Sequence, residues 1–85
     1  MTHHELKTWP VYFKEILYGN KTFEFRHNDR DFKEGDTVTL LEWEWDGDTG
    51  YTGNEITKRI GYVLPVLSAT LVYPGGYVIF SLLEV

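Results

Sequence analysis

The sequence predicts a single strand-rich α+β domain, a small mixed β-barrel of five or six mostly antiparallel strands with one helix at its mouth. Three observations lead there. Only one stretch, between Pro10 and Gly19, has its apolar residues at helical spacing. Several others alternate with period two or run continuously apolar, and turn residues separate them. A chain of 85 residues with no internal shift in composition leaves room for one domain and one core. Strands joined by short links pair antiparallel, and closing the sheet protects its edges.

The elements follow in order. His4-Glu5-Leu6-Lys7 reads as a short strand. Pro10 suits the first turn of a helix, where its missing N–H costs nothing, and Thr8 is the expected N-cap or flanking residue. Phe13, Ile16 and Leu17 then form one buried stripe with Lys14 and Glu15 outside it. Gly19 is the expected C′ residue of a helix over residues 10–18, and Asn20 continues the turn. Thr22 to His27 alternates, with Phe23 and Phe25 on one face and Thr22, Glu24 and Arg26 on the other. The aromatics are therefore expected in the core and the polar face open to a cleft; reversed parity would remove that face as a site.

Asn28-Asp29-Arg30-Asp31 is a polar loop, and Glu34-Gly35-Asp36 a turn into a run from Thr37 to Trp45. Val38, Leu40, Leu41, Trp43 and Trp45 do not keep one parity, which predicts a β-bulge or a bend around a closed sheet. Residues 46–53 form a hairpin connection to a return strand over Ile56 to Leu64, with Ile56, Ile60, Tyr62 and Leu64 on one parity. Lys58 shares that parity, which places it near an edge. Residues 65–73 read equally as loop or short strand. Pro74-Gly75-Gly76 precedes an almost wholly apolar final strand, Tyr77 to Val85.

Composition limits the function classes. There is no cysteine, so the fold rests on packing, supplied by three Trp, six Tyr and five Phe. No basic segment followed by an apolar run opens the chain, and no stretch of about 18 apolar residues occurs. The expectation is a cytoplasmic monomer with no membrane partner. A net charge of −5 argues against diffuse, charge-driven binding to nucleic acid or anionic lipid. The acid is concentrated, however: residues 34–55 sum to −7 with no Lys or Arg, while residues 20–33 and 56–85 each sum to +1. A ligand face of basic character must lie outside the acidic segment.

One set of motifs goes further. His4-x-Leu6-Lys7, Tyr12-Phe13, Gly19-x-Lys21-Thr22-Phe23-Glu24-x-Arg26-x-Asn28-Asp29-Arg30-x-Phe32, Gly35-Asp36 and Gly76-Tyr77 occur in an order and spacing that span nearly the whole chain. Together they resemble a bacterial and phage family of short PUA-like proteins grouped with the ASCH domains. The resemblance implies a β-barrel with a helix at its mouth and a role in binding RNA. Some ASCH relatives are amidohydrolases that remove an acetyl group from modified cytidine. In those, a G-x-K-T-x-T-x-R pattern supplies a catalytic lysine and threonine, with a glutamate later in the chain. Here Lys21 and Arg26 match, but Glu24 stands where the reactive threonine would, and Thr22 matches the earlier, non-catalytic one. A carboxylate cannot replace a hydroxyl nucleophile without a change of mechanism. Residues 65–76 contain no Glu or Asp for the late partner.

The candidate ligand-binding residues are Lys21, Glu24, Arg26, Asn28, Arg30 and His4. Glu24 and Arg26, two apart on a strand, point to one face about 6–7 Å apart and form a polar patch with Lys21; the plainer reading is a solvated surface ion pair. Arg26 is the best anchor because its planar fork holds phosphate or a base edge bidentately. Asn28-Asp29-Arg30 reads equally as a structural turn, and Arg30 equally as a residue held by a barrel carboxylate. His4 is placed at the barrel mouth beside Lys21. His3, His4 and His27 have no ligand spacing, so no metal and no cofactor is expected. Trp43 and Trp45 read as core or rim aromatics before base-stacking ones.

The leading functional expectation is an RNA- or nucleotide-binding module without catalysis. The alternatives are an amidohydrolase using Lys21 and Glu24 as an acid/base pair on a modified nucleoside, and a protein-interaction domain using the acidic hairpin.

Overall fold

A computed structural model describes residues 1–44, 50–66 and 76–85. Trp45 and the rest of the hairpin connection up to residue 49, and the ambiguous stretch from residue 67, lie outside the described residues.

Five strands form a sheet curled into a half-barrel, with one helix against it: β1 (His3–Thr8), α1 (Pro10–Leu17), β2 (Phe23–His27), β3 (Thr37–Trp43), β4 (Tyr51–Val66) and β5 (Tyr77–Leu83). The strand order is β1-β3-β4-β5-β2. β1 runs parallel to β3, and the other three pairings are antiparallel. The α+β class, the small barrel-like shape and the single helix agree with the sequence.

The core fills the concave side. Leu6, Val38, Leu40, Ile60, Val78, Phe80 and Leu82 point inward from the strands, and Ile16 of α1 and Phe32 of the loop before β3 complete the cluster. On the helix, Phe13 and Ile16 are buried while Leu17 is half exposed, so the expected stripe is narrower by one residue. The N-cap is Trp9, in extended backbone, and no side chain caps it. Thr8 instead turns inward as the last buried residue of β1. At the other end Gly19, at φ +82°, allows a Schellman closure: Gly19 N–H donates to the Ile16 carbonyl at 3.1 Å and Asn20 N–H to that of Glu15 at 2.9 Å.

Two expectations of parity are corrected. In β2 the burial is reversed, with Glu24 only 4% exposed and Phe23 and Phe25 exposed by 46% and 52%. The cause is β5, whose inward Val78, Phe80 and Leu82 leave no choice of face. The register pairs Glu24 with Phe80 and Arg26 with Val78, so these two share the concave side. The polar face expected to be open is turned into the concave side, with Glu24 buried, and the two aromatics expected in the core are outside it. In β4 a register shift lies between Ile60 and Val63, so that Gly61 and Tyr62 together oppose Ser81. Ile60 and Val63 both reach the core, while Tyr62 and Leu64 turn outward. The bulge predicted for β3 is present between Leu41 and Trp43. Lys58 is not near an edge: β4 is the middle strand, and its Nζ lies 2.5 Å from Glu84 Oε1.

Candidate functional site

A cleft of about 410 Å³ opens in the seam between the two edge strands, beneath the start of α1. Lys7 and Thr8 of β1 form one wall, Trp9 and Tyr12 the roof, and Lys21 with Glu24, Phe25 and Arg26 the opposite wall. Lys21 and Arg26 against Glu24 leave it one net positive charge, with the Lys7 ammonium at its edge, on a chain that carries −5.

Glu24 organises the charges. Its Oε1 lies 3.0 Å from Lys21 Nζ and its Oε2 accepts from Arg26 Nε at 2.8 Å. A carboxylate held in the concave side of a sheet needs such partners, because a buried charge without them costs several kcal/mol. Lys21 also donates to the Phe23 carbonyl at 2.9 Å, and its ammonium stands over the rings of Tyr12 and Phe23 at 5.4 and 5.1 Å. Lys21 and Arg26 are thus both tied to partners in the wall.

The arginines of the β2 region do a second job. Arg26 Nη2 donates to the Lys7 carbonyl at 2.8 Å and contacts Thr8 Oγ1 at 3.3 Å. Arg30 Nη1 donates to the Glu5 carbonyl, and its Nε is 3.9 Å from Asp29. Backbone carbonyls on the edge of β1 are therefore met by guanidinium groups from across the seam. The side chains join the two edges where no strand pairing does.

The remaining predicted site residues are engaged elsewhere. His4 is buried, not at the mouth: its Nε2 donates to Asp36 Oδ2 at 2.9 Å, and its ring packs on Phe32 at 4.8 Å. Asn28 Oδ1 accepts the Phe32 N–H at 2.9 Å, which is the structural-turn reading. Burial pushes the Asp36 carboxyl up, but the His4 hydrogen bond, the backbone N–H groups of Thr2 and Lys33 and the His4 charge outweigh it and hold the group below its usual value. Of the six predicted residues, Lys21, Glu24 and Arg26 come together in the cleft; His4, Asn28 and Arg30 do not line it. Among the described residues, no cluster of three His, Asp or Glu side chains is placed to hold a metal, and no helix is long and apolar enough to cross a membrane.

Beside the cleft, Lys7 carries its ammonium over Trp43 and Tyr51, at 4.9 and 5.9 Å from the ring centres. Trp9 meets Trp43 edge-on at 5.2 Å. Trp43 thus packs between Trp9 and Lys7 beside the cleft.

Residues 3–82 match the family described as "Domain of unknown function (DUF3850)". The chain belongs to that family. Over 57 residues it is 40% identical to the "Uncharacterized 12.9 kDa protein in GpA 3'region" of Escherichia phage P2, a match covering 67% of this chain and 50% of the phage protein. The DUF3850 chain therefore spans about half the length of the curated relative it matches. The expected phage-associated family is established at that level.

Sequence reasoning missed Lys7, Thr8, Trp9 and Tyr12 as parts of the DUF3850 cleft. A signal was available, since Lys7 and Tyr12 belong to the spaced motifs that carried the resemblance. Their contribution became visible only when the parallel β1–β3 pairing put the β1–α1 junction opposite β2.

Proposed function

We propose that the seam cleft is a binding site for a nucleotide or a short segment of RNA, with Lys7 and Lys21 attracting phosphate and Trp9 and Tyr12 offering ring surfaces to a base. The observation that carries this reading is the net positive charge of a cleft walled by aromatics, on a chain that is otherwise acidic. Its volume falls within the range of small-molecule sites, about 300–1,000 Å³. The resemblance of the spaced motifs to those of PUA-like and ASCH domains points the same way, as an analogy. Stacking on aromatic faces and phosphate contact are the usual means of holding unpaired nucleotides.

One contact favours a second reading. Lys21 Nζ and Glu24 Oε1, 3.0 Å apart within the cleft, form a donor–carboxylate pair of the kind that moves protons in hydrolysis. Against it, Lys21 is also committed to the Phe23 carbonyl.

Titration with nucleoside monophosphates and short RNAs, followed by amide shifts, tests the proposal. Shifts are expected at residues 7–12 and 21–26, and Lys21→Ala should weaken binding about tenfold or more, the loss of one charged contact. Glu34→Ala, on an exposed turn, should leave affinity unchanged. Shifts scattered over the surface, or equal losses from both variants, would refute the site. Turnover of an acetylated nucleoside, lost in Glu24→Gln, would select the hydrolase reading.

A further inference from the structure

The convex face of the sheet is divided by polarity. Across β1, β3 and the first part of β4, the outward positions carry His3, Thr37 and Arg59, then Glu5, Thr39 and Thr57, then Lys7, Leu41 and Glu55. Hydrogen bonds tie this half together: Thr39 Oγ1 lies 2.8 Å from Thr57 Oγ1 and 3.1 Å from His3 Nε2. Across the last part of β4, β5 and β2, the outward rows are Leu64, Ile79 and Phe25, then Val66, Tyr77 and His27, with Tyr62, Ser81 and Phe23 beyond them. None of these nine is Asp, Glu, Lys or Arg.

We propose that two copies of this chain associate through the apolar half of the convex face. A chain of net charge −5 repels its own kind, so a self-contact belongs where the surface carries no carboxylate, and this half is such a surface. The area suffices. Phe23, Phe25, Tyr62, Leu64 and the flanking Leu83 are exposed by 45–66%. With roughly 200 Å² for each large side chain, that leaves on the order of 500 Å² of apolar surface per copy, and a pair buries about 1,000 Å², the floor for a specific interface. A patch of this size matches the largest apolar patch of a typical small protein, about 300–600 Å², and such patches often carry a function. The same patch meeting itself gives a twofold, closed contact. Phe25 packs against Tyr77 at 5.4 Å, and Tyr77 against His27 at 5.5 Å, so the aromatic part of the face is already ordered for docking. The face lies outside the concave core, and a dimer replaces the monomer that the sequence suggested.

Sedimentation equilibrium from low micromolar to several hundred micromolar chain tests this. The mass is expected to rise toward twice the 10.0 kDa of one chain, with concentration-dependent amide shifts confined to Phe23, Phe25, Tyr62, Leu64, Ile79 and Leu83. Leu64→Glu should weaken the dimer at least tenfold, and Glu55→Lys, on the polar half, should leave it intact. If Leu64→Glu does not fold, Tyr62→Glu, at a position 66% exposed, serves in its place. A mass of 10.0 kDa at every concentration, or a dimer that survives these charges in a folded protein, overturns the proposal.

Discussion

Asp36 and Arg26 show how single side chains hold this small fold together. Asp36 accepts from His4, from Thr2 N–H at 3.0 Å and from Lys33 N–H at 3.2 Å, which ties the start of β1 to the turn before β3. Asp36→Ala strands those donors, and should cost about 3 kcal/mol in a urea unfolding experiment. Because its folded carboxyl is held below the ordinary value, Asp36 stabilises fully above about pH 3.9, and this part is lost as pH falls through the folded value. Stability measured from pH 7 downward should therefore decline below about pH 4, and the decline should be shallower in Asp36→Asn. Arg26 presents a different case. It pairs with Glu24 and also bridges to β1, so Arg26→Ala is expected to cost about 2 kcal/mol of stability besides any effect on ligand. Unchanged urea midpoints in Arg26→Ala would show that the bridge across the seam adds nothing.

Among the elements, β4 depends on its bulge. A Cβ at Gly61 would stand 2.4 Å from Ser81 Oγ and 3.1 Å from Leu83 Cδ1, so Gly61→Ala must displace β5 or lose the Tyr62 N–H bond to Ser81, 2.8 Å long. A destabilisation of about 1–3 kcal/mol is expected from thermal or urea unfolding. Much of the element list was legible: Pro10 and Gly19 bracket the helix, and the mixed parity of Leu40, Leu41 and Trp43 disclosed the β3 bulge. The β4 bulge was not, because Ile60, Tyr62 and Leu64 keep an even alternation in the sequence and only pairing with β5 breaks it. The β2 error has a related cause. Alternation tells which residues share a face but not which face is inward, and Phe23 and Phe25 lose the core to Glu24 and Arg26 because β5 fixes the register. Hydrophobicity alone would not reveal a buried carboxylate compensated by two cations. The grouping of Lys21, Glu24 and Arg26 survived because all three follow from that shared face and the adjoining turn, whereas His4, Asn28 and Arg30 depended on long-range partners.

For the whole molecule, electrostatics set the terms of binding. Long-range repulsion from a chain of −5 opposes an anionic ligand, and the local excess at the cleft favours it. If about three phosphates are contacted, raising salt from about 50 to about 200 mM should weaken RNA binding roughly tenfold to twentyfold by counterion release. Affinity independent of salt would instead indicate an uncharged nucleoside, held by the rings and Glu24.

The pairing of β1 with β3 and of β2 with β5 has a kinetic consequence. His3 and Thr37 are 34 positions apart, and Phe23 and Ser81 are 58 apart, so both early strands wait for partners formed later in the chain. Only β3–β4 and β4–β5 join consecutive strands. Loop closure for the distant pairs must be met before they reward it, which places this domain among slow, non-local folders, with refolding times of milliseconds to seconds. The transition state should therefore be built on β3–β4, with β2 docking afterwards. In stopped-flow experiments Leu40→Ala should slow refolding, whereas Arg26→Ala should act mainly by hastening unfolding. A late-docking β2 makes the wall that carries Glu24 the first part of the barrel to detach.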